Sequence, residues 1–297
     1  MNKMGFKEEK ESNDKIEKLI AENPEIILVH VTDTYFIEES KTNDEVDLPG
    51  FARFRSLVNH IKSNRTVQKN KIPVFVLHGG DFLYPSLMSI YFQGRQMVEI
   101  LNICGFDYCT LGNHDFDGGT KSLTERMTEA VFEIVCTNIK VPKKNNSLQI
   151  SEFVVCNDKN NLPFAAITGI VGKATLRKAR QNSLGTSPIE SSLKQMIVNI
   201  QKKYPTISHL IILSHMSNEE DIGLERWLEK NWDGYVYLLG GHDHNEIFQY
   251  SDENPKSILL KGKSNCRTVQ IIGIPGSRNF KKTSHLVENV FVMNSTE

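Results

Sequence analysis

The sequence predicts an α/β fold, because short apolar runs alternate with segments of helical periodicity. The first run, Ile26–Val29, is rich in β-branched residues and is typical of a buried strand. Beyond Gly50, apolar residues recur at helical spacing at Phe51, Phe54, Val58 and Ile61. A chain of 297 residues can bury a full core. No internal repeat or low-complexity linker divides it, which favours a single main domain.

The other elements follow in order. Further strands are predicted at 74–77, 108–111, 132–136, 164–171, 209–213 and 235–239. Further helices are predicted near 86–103, 119–130, 188–203 and 221–230. Residues 38–49 are predicted as a polar loop, 143–146 and 157–161 as hairpin turns, and about the last 50 residues as strands with a ragged tail. We predict a charged N-terminal extension over 1–24, either a tail or an amphipathic helix, and one domain over 25–297.

Composition limits the classes of function. Hydrophobic residues make up 39% of the chain and charged residues 24%, as in ordinary globular proteins. The net charge of −1 gives no strong nucleic-acid or membrane-surface signal. Five cysteines without a CxxC pair indicate neither a disulfide framework nor a thiolate zinc site. Neither a secretory signal nor an apolar run of about 18 residues is visible, so we expect a cytoplasmic protein.

Five apolar runs end in side chains of the chemical types that bind metals. These side chains are Asp33, Asp81, Asn113 with His114, His215, and His242 with His244. In open α/β sheets, ligands gather at the carboxyl ends of the strands, where the following loops converge. Gly80, Gly112 and Gly241 precede the candidate ligands, where the backbone must turn sharply or approach a bound group.

The simpler interpretation is that each polar residue forms a turn. One strand-terminal Asp usually does so, but five such ends in succession are hard to obtain from turn chemistry alone. Carboxylates, an amide oxygen and imidazoles without thiolates suit Mn, Fe, Zn or Co, as divalent or mixed-valence ions. Two cations about 3.5–4 Å apart can hold the attacking and leaving oxygens of a phosphoryl displacement.

The motif series resembles that of the calcineurin-like metallophosphoesterases, and most closely the catalytic domain of their 5′-nucleotidase branch. The matching motifs are Asp33, Gly80-Asp81, Gly112-Asn113-His114-Asp115, His215 and Gly241-His242-Asp243-His244. The segments 50–53 and 94–119 also resemble that branch. The resemblance covers about residues 25–275, and it implies a four-layer α/β/β/α sandwich of two mixed sheets with a dinuclear metal centre between them.

The resemblance also implies roles for individual residues. Asp33 and His244 would bind the first metal, Asn113, His215 and His242 the second, and Asp81 would bridge both. His114 matches the catalytic histidine, which stabilises the transition state or protonates the leaving oxygen, and Asp117 matches its partner. The nucleophile would be a metal-bound water or hydroxide, and manganese is the favoured metal.

Two features depart from the family pattern. The first motif of the family is usually Asp-x-His, whereas this chain has Asp33-Thr34-Tyr35, which makes Tyr35 a candidate phenol ligand. Only 53 residues follow His244 (297 − 244), so we expect this sequence to lack the nucleoside-binding domain of the 5′-nucleotidases. We therefore expect a phosphoesterase without specifying a nucleotide substrate.

Several other side chains have simpler explanations. His30 and His78 each lie three residues before a candidate ligand and are predicted to pack in the core or behind the site. His60, His209 and His285 are predicted at the surface or at element ends. Lys261 and Lys263 could attract a phosphate, or could be strand-edge lysines. Tyr84, in a Gly-Asp-x-x-Tyr spacing similar to that of purple acid phosphatases, is predicted to pack on the helix near Ser86.

Two functions remain in competition. The first is a metal-dependent phosphoric ester hydrolase acting on a small phosphate mono- or diester. The second is a catalytically weak, metal-stabilised interaction module of the same fold. A structural metal site needs neither His114 nor Asp117, so their presence favours the enzyme. The sequence leaves the substrate, the native metal pair and the oligomeric state open.

Overall fold

The computed structural model describes residues 3–38, 50–142, 147–250, 256–276 and 286–290, with the backbone alone for 3–11 and 286–290. The predicted turn at 143–146, His285, and nearly all of the predicted loop at 38–49 lie outside the described residues. In the described part of the chain, no helix combines the length and apolar character needed to cross a bilayer. All five cysteines are buried and free.

The described elements alternate between helix and strand. The helices are α1 Lys3–Ala21, α2 Gly50–Ser63, α3 Arg65–Asn70, α4 Leu87–Phe92, α5 Arg95–Cys104, α6 Gly119–Glu129, α7 Lys173–Gln181, α8 Ile189–Lys203 and α9 Asn218–Asn231. The strands are β1 Ile26–Val31, β2 Val74–His78, β3 Tyr108–Cys109, β4 Glu133–Ile134, β5 Ile139–Lys140, β6 Val154–Asn157, β7 Pro163–Val171, β8 Gly185–Thr186, β9 His209–His215, β10 Tyr235–Gly240, β11 Ile247–Tyr250, β12 Ser257–Lys261, β13 Val269–Ile274 and β14 Leu286–Val290.

The larger strands form two six-stranded mixed sheets. The first has the order β14-β13-β1-β2-β3-β4, in which β1 to β4 run parallel and β13 is antiparallel to β1. The second has the order β11-β12-β10-β9-β7-β6, with a parallel centre from β12 to β7 and an antiparallel strand at each edge. The parallel strands of each sheet therefore bring their carboxyl ends to a common edge.

Strand β1 shows why the fold has four layers. Ile27 and Val29 belong to the core between the first sheet and its helices, whereas Ile26 and Leu28 belong to the core between the two sheets. Successive side chains of a strand point to opposite faces, so a strand covered on both faces is apolar throughout. The second sheet packs in the same way against α8 and α9. The predicted four-layer α/β/β/α sandwich is confirmed.

Helix α1 packs on the first sheet. Ile16, Leu19 and Ile20 are fully buried in the core of that sheet's outer face. A Cβ atom at Gly273 of β13 would lie 3.0 Å from Leu19, so the glycine allows this close approach. Of the two forms expected for residues 1–24, the structure has the helix.

Three local features differ from the predictions. The continuous helix predicted near 86–103 is two helices, α4 and α5, separated at Gln93 and Gly94, whose φ angles are 52° and 77°. Left-handed residues end a helix, because their carbonyl groups leave the helical direction. Helices α3 and α7 were not predicted.

The turn at 157–161 is confirmed, since it joins the antiparallel strands β6 and β7.

Candidate metal centre

The predicted site residues converge at the carboxyl ends of strands from both sheets. Asp33 and Asp81 follow β1 and β2 of the first sheet, and His215 is the last residue of β9 in the second. All three are buried, and one donor atom from each lies within 4.8 Å of the others. The cluster is therefore formed by residues far apart in sequence, as expected from their positions at the strand ends.

The backbone at this cluster is unusual. Asp33, Asp81, His242 and His244 have φ angles of 52°, 57°, 82° and 56°. Non-glycine residues seldom occupy this left-handed region, and its strain often marks functional positions. Gly80, with φ 95°, leaves no room for a side chain, since a Cβ atom there would lie 2.7 Å from Nδ1 of His215.

His215 is oriented to bind a cation. Its Nδ1 lies 2.8 Å from the carbonyl oxygen of Gly79, which can only accept a hydrogen bond, so Nδ1 carries the proton. The neutral ring then presents the Nε2 lone pair, which lies 3.2 Å from Oδ2 of Asp81 and 4.0 Å from Oδ1 of Asp33. In metal sites, a hydrogen bond from the ring nitrogen that does not face the metal fixes the tautomer in this way.

The electrostatics of the cluster also favour a cation. Burial opposes a charge on His215, but the carboxylates of Asp81 and Asp33 outweigh it and raise the pKa of the imidazole to about 10. Burial likewise opposes ionisation of Asp33, yet its contacts with His244, His215 and Thr32 hold the pKa of this carboxyl below its usual range. A bound cation would replace the proton on His215, since metals bind the neutral imidazole.

Asn113 adds an oxygen that suits a metal. Its side-chain oxygen is buried and has no hydrogen-bond partner among the described residues. Buried polar atoms are nearly always paired, so an unpaired buried amide oxygen suits a metal ligand. The next residue, His114, donates its backbone N–H to Oδ1 of Asp81 at 2.7 Å, which places Asn113 at the edge of the cluster.

The hydroxyl group of Tyr35 lies inside the cluster. It is 3.1 Å from Oδ1 of Asp33, 3.4 Å from Oδ2 of Asp81 and 2.8 Å from Nε2 of His244. Burial and the two carboxylates raise the pKa of Tyr35 far above its usual range, so the phenol is a hydrogen-bond donor here. Asn265, which was not predicted, holds this loop by accepting the backbone N–H of Tyr35 at 2.7 Å.

The two histidines after β10 differ in exposure. The backbone N–H of His242 donates to Oδ2 of Asp33 at 2.9 Å, and its ring lies 5.1 Å from the ring of His215, centroid to centroid. Burial and neighbouring His215 lower the pKa of His242. His244 places Nε2 3.2 Å from Oδ1 of Asp33, a contact that raises its pKa, and 44% of its side chain is exposed.

His114 and Asp117 form the predicted pair. Nδ1 of His114 lies 2.6 Å from Oδ2 of Asp117, and the ring stands edge-to-face against Tyr35 with centroids 6.2 Å apart. A third residue extends the pair, since Nζ of Lys178 lies 2.8 Å from Oδ1 of Asp117. Lys178 lies on α7, which the sequence analysis missed, so no signal pointed to it.

Asp115 organises the loops after β2 and β3. Its carboxylate accepts the backbone N–H groups of Asp81, Phe82, Leu83 and Gly112 at 2.7–3.0 Å. Burial and the charge of Asp81 raise the pKa of Asp115 to about 7, although the four N–H donors oppose this shift. Asp115 was noted as part of a motif, but its role could not be inferred, because the donors come from another loop.

The remaining histidines and Tyr84 take structural positions. His30 bonds Gln270 at 2.7 Å and His78 bonds Thr34 at 2.9 Å, so the packed positions predicted for both are confirmed. The hydroxyl of Tyr84 lies 3.0 Å from Ser122 of α6.

The sequence also predicted positions for the side chains of His60, His209 and Lys261. His60 lies on α2, about 42% exposed, as predicted. His209 begins β9 and so lies at an element end, one of the two predicted alternatives, but it is buried between the rings of Phe164 and Tyr235 and not at the surface. Lys261 is fully buried within the second sheet, so the strand-edge prediction is wrong for it.

A four-layer sandwich with buried carboxylates and imidazoles at the strand ends of both sheets is the architecture of a metallophosphoesterase. The calcineurin-like phosphoesterase family model matches residues 26–246, so the chain belongs to this family. The family resemblance stated from the motifs is thereby confirmed. The fit of the donor set to metals agrees with the metal dependence of the family.

Individual relatives show how far the similarity extends. A snake venom 5′-nucleotidase of Gloydius brevicauda is 25% identical over 244 residues, which is 80% of this chain and 40% of that protein. A 5′-nucleotidase structure from Candida albicans has a TM-score of 0.69 at 15% identity and is covered over 50% of its chain, against 90% of this one. The calcineurin-like phosphoesterase YfkN of Bacillus subtilis has a TM-score of 0.63 at 15% identity, with 90% of both chains covered. The chain spans less than half the length of the curated relatives that it matches.

Proposed function

We propose that the protein hydrolyses a small phosphate mono- or diester with the help of two metal ions. The observation that carries this proposal is the buried cluster of Asp33, Asp81 and His215, with one donor atom from each within 4.8 Å of the others. The two buried carboxylates place negative charge beside the His215 ring, and a cation could replace the ring's second proton there.

The residues proposed to hold the metals are those that the motifs indicated. They are Asp33, Tyr35, Asp81, Asn113, His215, His242 and His244. The unpaired oxygen of Asn113 and the fixed tautomer of His215 support this set. Tyr35 is the member with the weakest chemistry, since its phenol must lose a proton to bind well, and its pKa is raised. Manganese stays the favoured metal, because imidazole ligands prefer transition metals to magnesium.

When bound, two such cations would acidify a water molecule and neutralise charge on the phosphoryl oxygens. The chain supplies the remaining groups. Asp117 accepts the Nδ1 proton of His114 and leaves Nε2 for the substrate side. In the imidazolium form of His114, the Nε2–H would stabilise the leaving oxygen or give it its proton. Lys178 holds the other oxygen of Asp117 and so fixes the orientation of the pair.

The open side of the site is consistent with a small substrate. The side chains of His114 and His244 are 37% and 44% exposed, whereas those of Asp33 and Asp81 are at most 2% exposed. A phosphate ester could therefore reach the cluster past these two histidines. The snake venom protein and the Candida albicans structure are 5′-nucleotidases, but nucleotide specificity is not part of this proposal, because the chain spans no more than half of their length. The cytoplasmic location stays a prediction.

A chelation experiment tests the proposal. The purified protein would be dialysed against EDTA and assayed with p-nitrophenyl phosphate and bis(p-nitrophenyl) phosphate, as a monoester and a diester. We expect activity to vanish and to return with Mn²⁺ more strongly than with Mg²⁺. Full activity in excess EDTA would overturn the proposal. Tight binding of Mn²⁺ without hydrolysis of either ester would instead favour the catalytically weak interaction module.

A further inference from the structure

Lys261 is a buried cation that the catalytic chemistry does not use. It is the last residue of β12, an interior strand of the second sheet, and 1% of its side chain is exposed. Lysine is almost never buried to this extent unless it is paired. The reason for its burial must therefore lie in what its ammonium group contacts.

The ammonium group has three acceptors for its three N–H donors. Nζ lies 2.8 Å from the carbonyl oxygen of Met216, 2.9 Å from Oδ2 of Asp221 and 3.4 Å from Oδ2 of Asp243. Asp221 is fully buried and lies on α9. The ammonium group thus donates hydrogen bonds to Met216 and Asp243 and forms an ion pair with Asp221, so two carboxylates offset the cost of burying its charge.

Two of these acceptors adjoin proposed metal ligands. Met216 directly follows His215, and Asp243 stands between His242 and His244. One ammonium group therefore links the end of β9 to the loop after β10. Asp243 is tied further to the start of α9, whose Asn218 donates its backbone N–H to Oδ2 of Asp243 at 2.6 Å.

The fold leaves space for this side chain. Gly240, which pairs with Lys261 in the parallel register of β10 and β12, lacks a Cβ atom. A Cβ there would lie 3.0 Å from Cγ and 3.1 Å from Cε of Lys261. The glycine thus allows the lysine stem to pass across the end of β10 towards the acceptors.

We propose that Lys261 is a positioning residue. It holds the end of β9, which carries His215, and the loop after β10, which carries His242 and His244, in one arrangement that binds metal. The inference rests on the proposed function, since it assigns these histidines to the metals. Buried ion pairs add little to stability compared with well-packed apolar residues, because both charges must leave water. Such a pair is better suited to fixing one arrangement of two loops.

The test separates this role from simple core stability. Lys261→Met alone would leave Asp221 buried without its partner, so its melting temperature should fall. The double variant Lys261→Met with Asp221→Asn removes both charges and should recover most of that fall. Lys263→Met is the control, because Lys263 lies two residues further along, is 46% exposed and pairs with Glu246. Each metal-free protein would be titrated with Mn²⁺ by calorimetry and examined by EPR.

We expect the double variant to bind metal more weakly than the wild type, although its stability is largely restored. The double variant should bind Mn²⁺ about 10–100-fold more weakly than the wild type, as for other residues that orient metal ligands, with an altered EPR spectrum. Lys263→Met should match the wild type. Wild-type affinity and an unchanged spectrum in the double variant would overturn the proposal.

Two further outcomes are also decisive. If the double variant does not fold, Asp243→Ala tests the same link from its partly exposed end, 32% of that side chain being exposed. Weakened Mn²⁺ binding there supports the proposal, and wild-type affinity overturns it. Failure of the wild type to bind two Mn²⁺ ions would count against the dinuclear function itself and is distinguishable, because it appears before any variant is compared.

Discussion

The two sheets contribute to the site in different ways. The first sheet supplies buried carboxylates in loops that are fixed by backbone hydrogen bonds, with Asp115 alone accepting four N–H groups from the loops after β2 and β3. The second sheet supplies imidazoles that range from fully buried His215 to His244, whose side chain is 44% exposed. The carboxylates from the first sheet are therefore held in place, and the imidazoles from the second sheet extend towards solvent.

Histidines in the two sheets also show what controls their charge. His78 in the first sheet and His215 in the second are both fully buried. Burial, together with the charges of His30 and His215, lowers the pKa of His78 to about 3, and the opposing charge of Asp33 is too weak to offset this. Two carboxylates beside His215 reverse the effect and raise its pKa to about 10. Adjacent charge, and not burial alone, therefore distinguishes a packed histidine from a candidate ligand.

The largest effect on metal content and hydrolysis is expected from substituting a carboxylate that the first sheet supplies. Asp81→Ala removes a buried carboxylate that would bridge both metals, so we expect loss of bound Mn²⁺ and of hydrolysis to the buffer background. His244→Ala removes an exposed ligand that water can replace, so metal affinity should fall less. Metal content by mass spectrometry after equilibrium dialysis compares the two variants. Equal losses in both would show that the two sheets do not differ as described.

A smaller effect, limited to the rate, is expected at the catalytic pair. His114→Ala should lower turnover of an aryl phosphate by about 10²–10⁴-fold, the usual contribution of a general acid, with metal content unchanged. Asp117→Asn should lower it less, because Asp117 acts through the ring of His114. Steady-state kinetics with matched metal analysis makes the measurement. If both variants kept the wild-type rate, His114 would have no catalytic role.

The smallest effect is a pH dependence of stability that arises in the first sheet. Burial lowers the pKa of His30 to about 4 and of His78 to about 3, against 6.5 in the unfolded chain. Below pH 6.5 these two histidines bind protons in the unfolded chain but not in the folded protein, so their contribution to stability is lost as pH falls from 6.5 towards 4. The carboxyl groups of Asp115 and Asp221, whose pKa values are raised to about 7 and about 6, act in the opposite direction. Each histidine contributes a loss of about 1.4 kcal/mol per pH unit within that window.

Urea unfolding in EDTA at pH 7, 6 and 5 would detect this loss. His78→Asn removes one of the two histidines, so the stability of the variant relative to the wild type should rise as the pH falls. His215 does not change the pH dependence in this range. A histidine whose pKa is raised on folding keeps its full stabilising effect below its unfolded pKa of 6.5. Identical slopes for the variant and the wild type would mean that His78 is not held in its neutral form.

The sequence was sufficient where local pattern and position agree. The apolar runs predicted β1, β2, β7, β9 and β10, and the polar residues at their ends predicted which side chains would meet, because parallel strands bring their carboxyl ends together. Helix α7 was missed since its nine residues, KATLRKARQ, present few apolar side chains. Its residue Lys178 could not be connected to Asp117 without that helix.

Long-range pairing explains the other failures. Lys261 was predicted either to attract a phosphate or to lie at a strand edge, and its burial was missed because Met216, Asp221 and Asp243 are 18 to 45 residues away in sequence. His209 was predicted at the surface or at an element end, and its burial was missed because nothing in its local sequence shows that the rings of Phe164 and Tyr235 enclose it. In both cases a polar side chain is buried by partners from neighbouring strands, and a sequence read segment by segment does not show them.

The convergence of the two sheets on two metals can be measured directly. A crystal of the Mn²⁺-loaded protein would be recorded near the manganese absorption edge, and an anomalous difference map would locate the ions. We expect two peaks about 3.5–4 Å apart, with Asp81 between them and with contacts to Asp33 from the first sheet and to His215 from the second. A single peak, or two peaks held by one sheet alone, would contradict the dinuclear site formed jointly by both sheets.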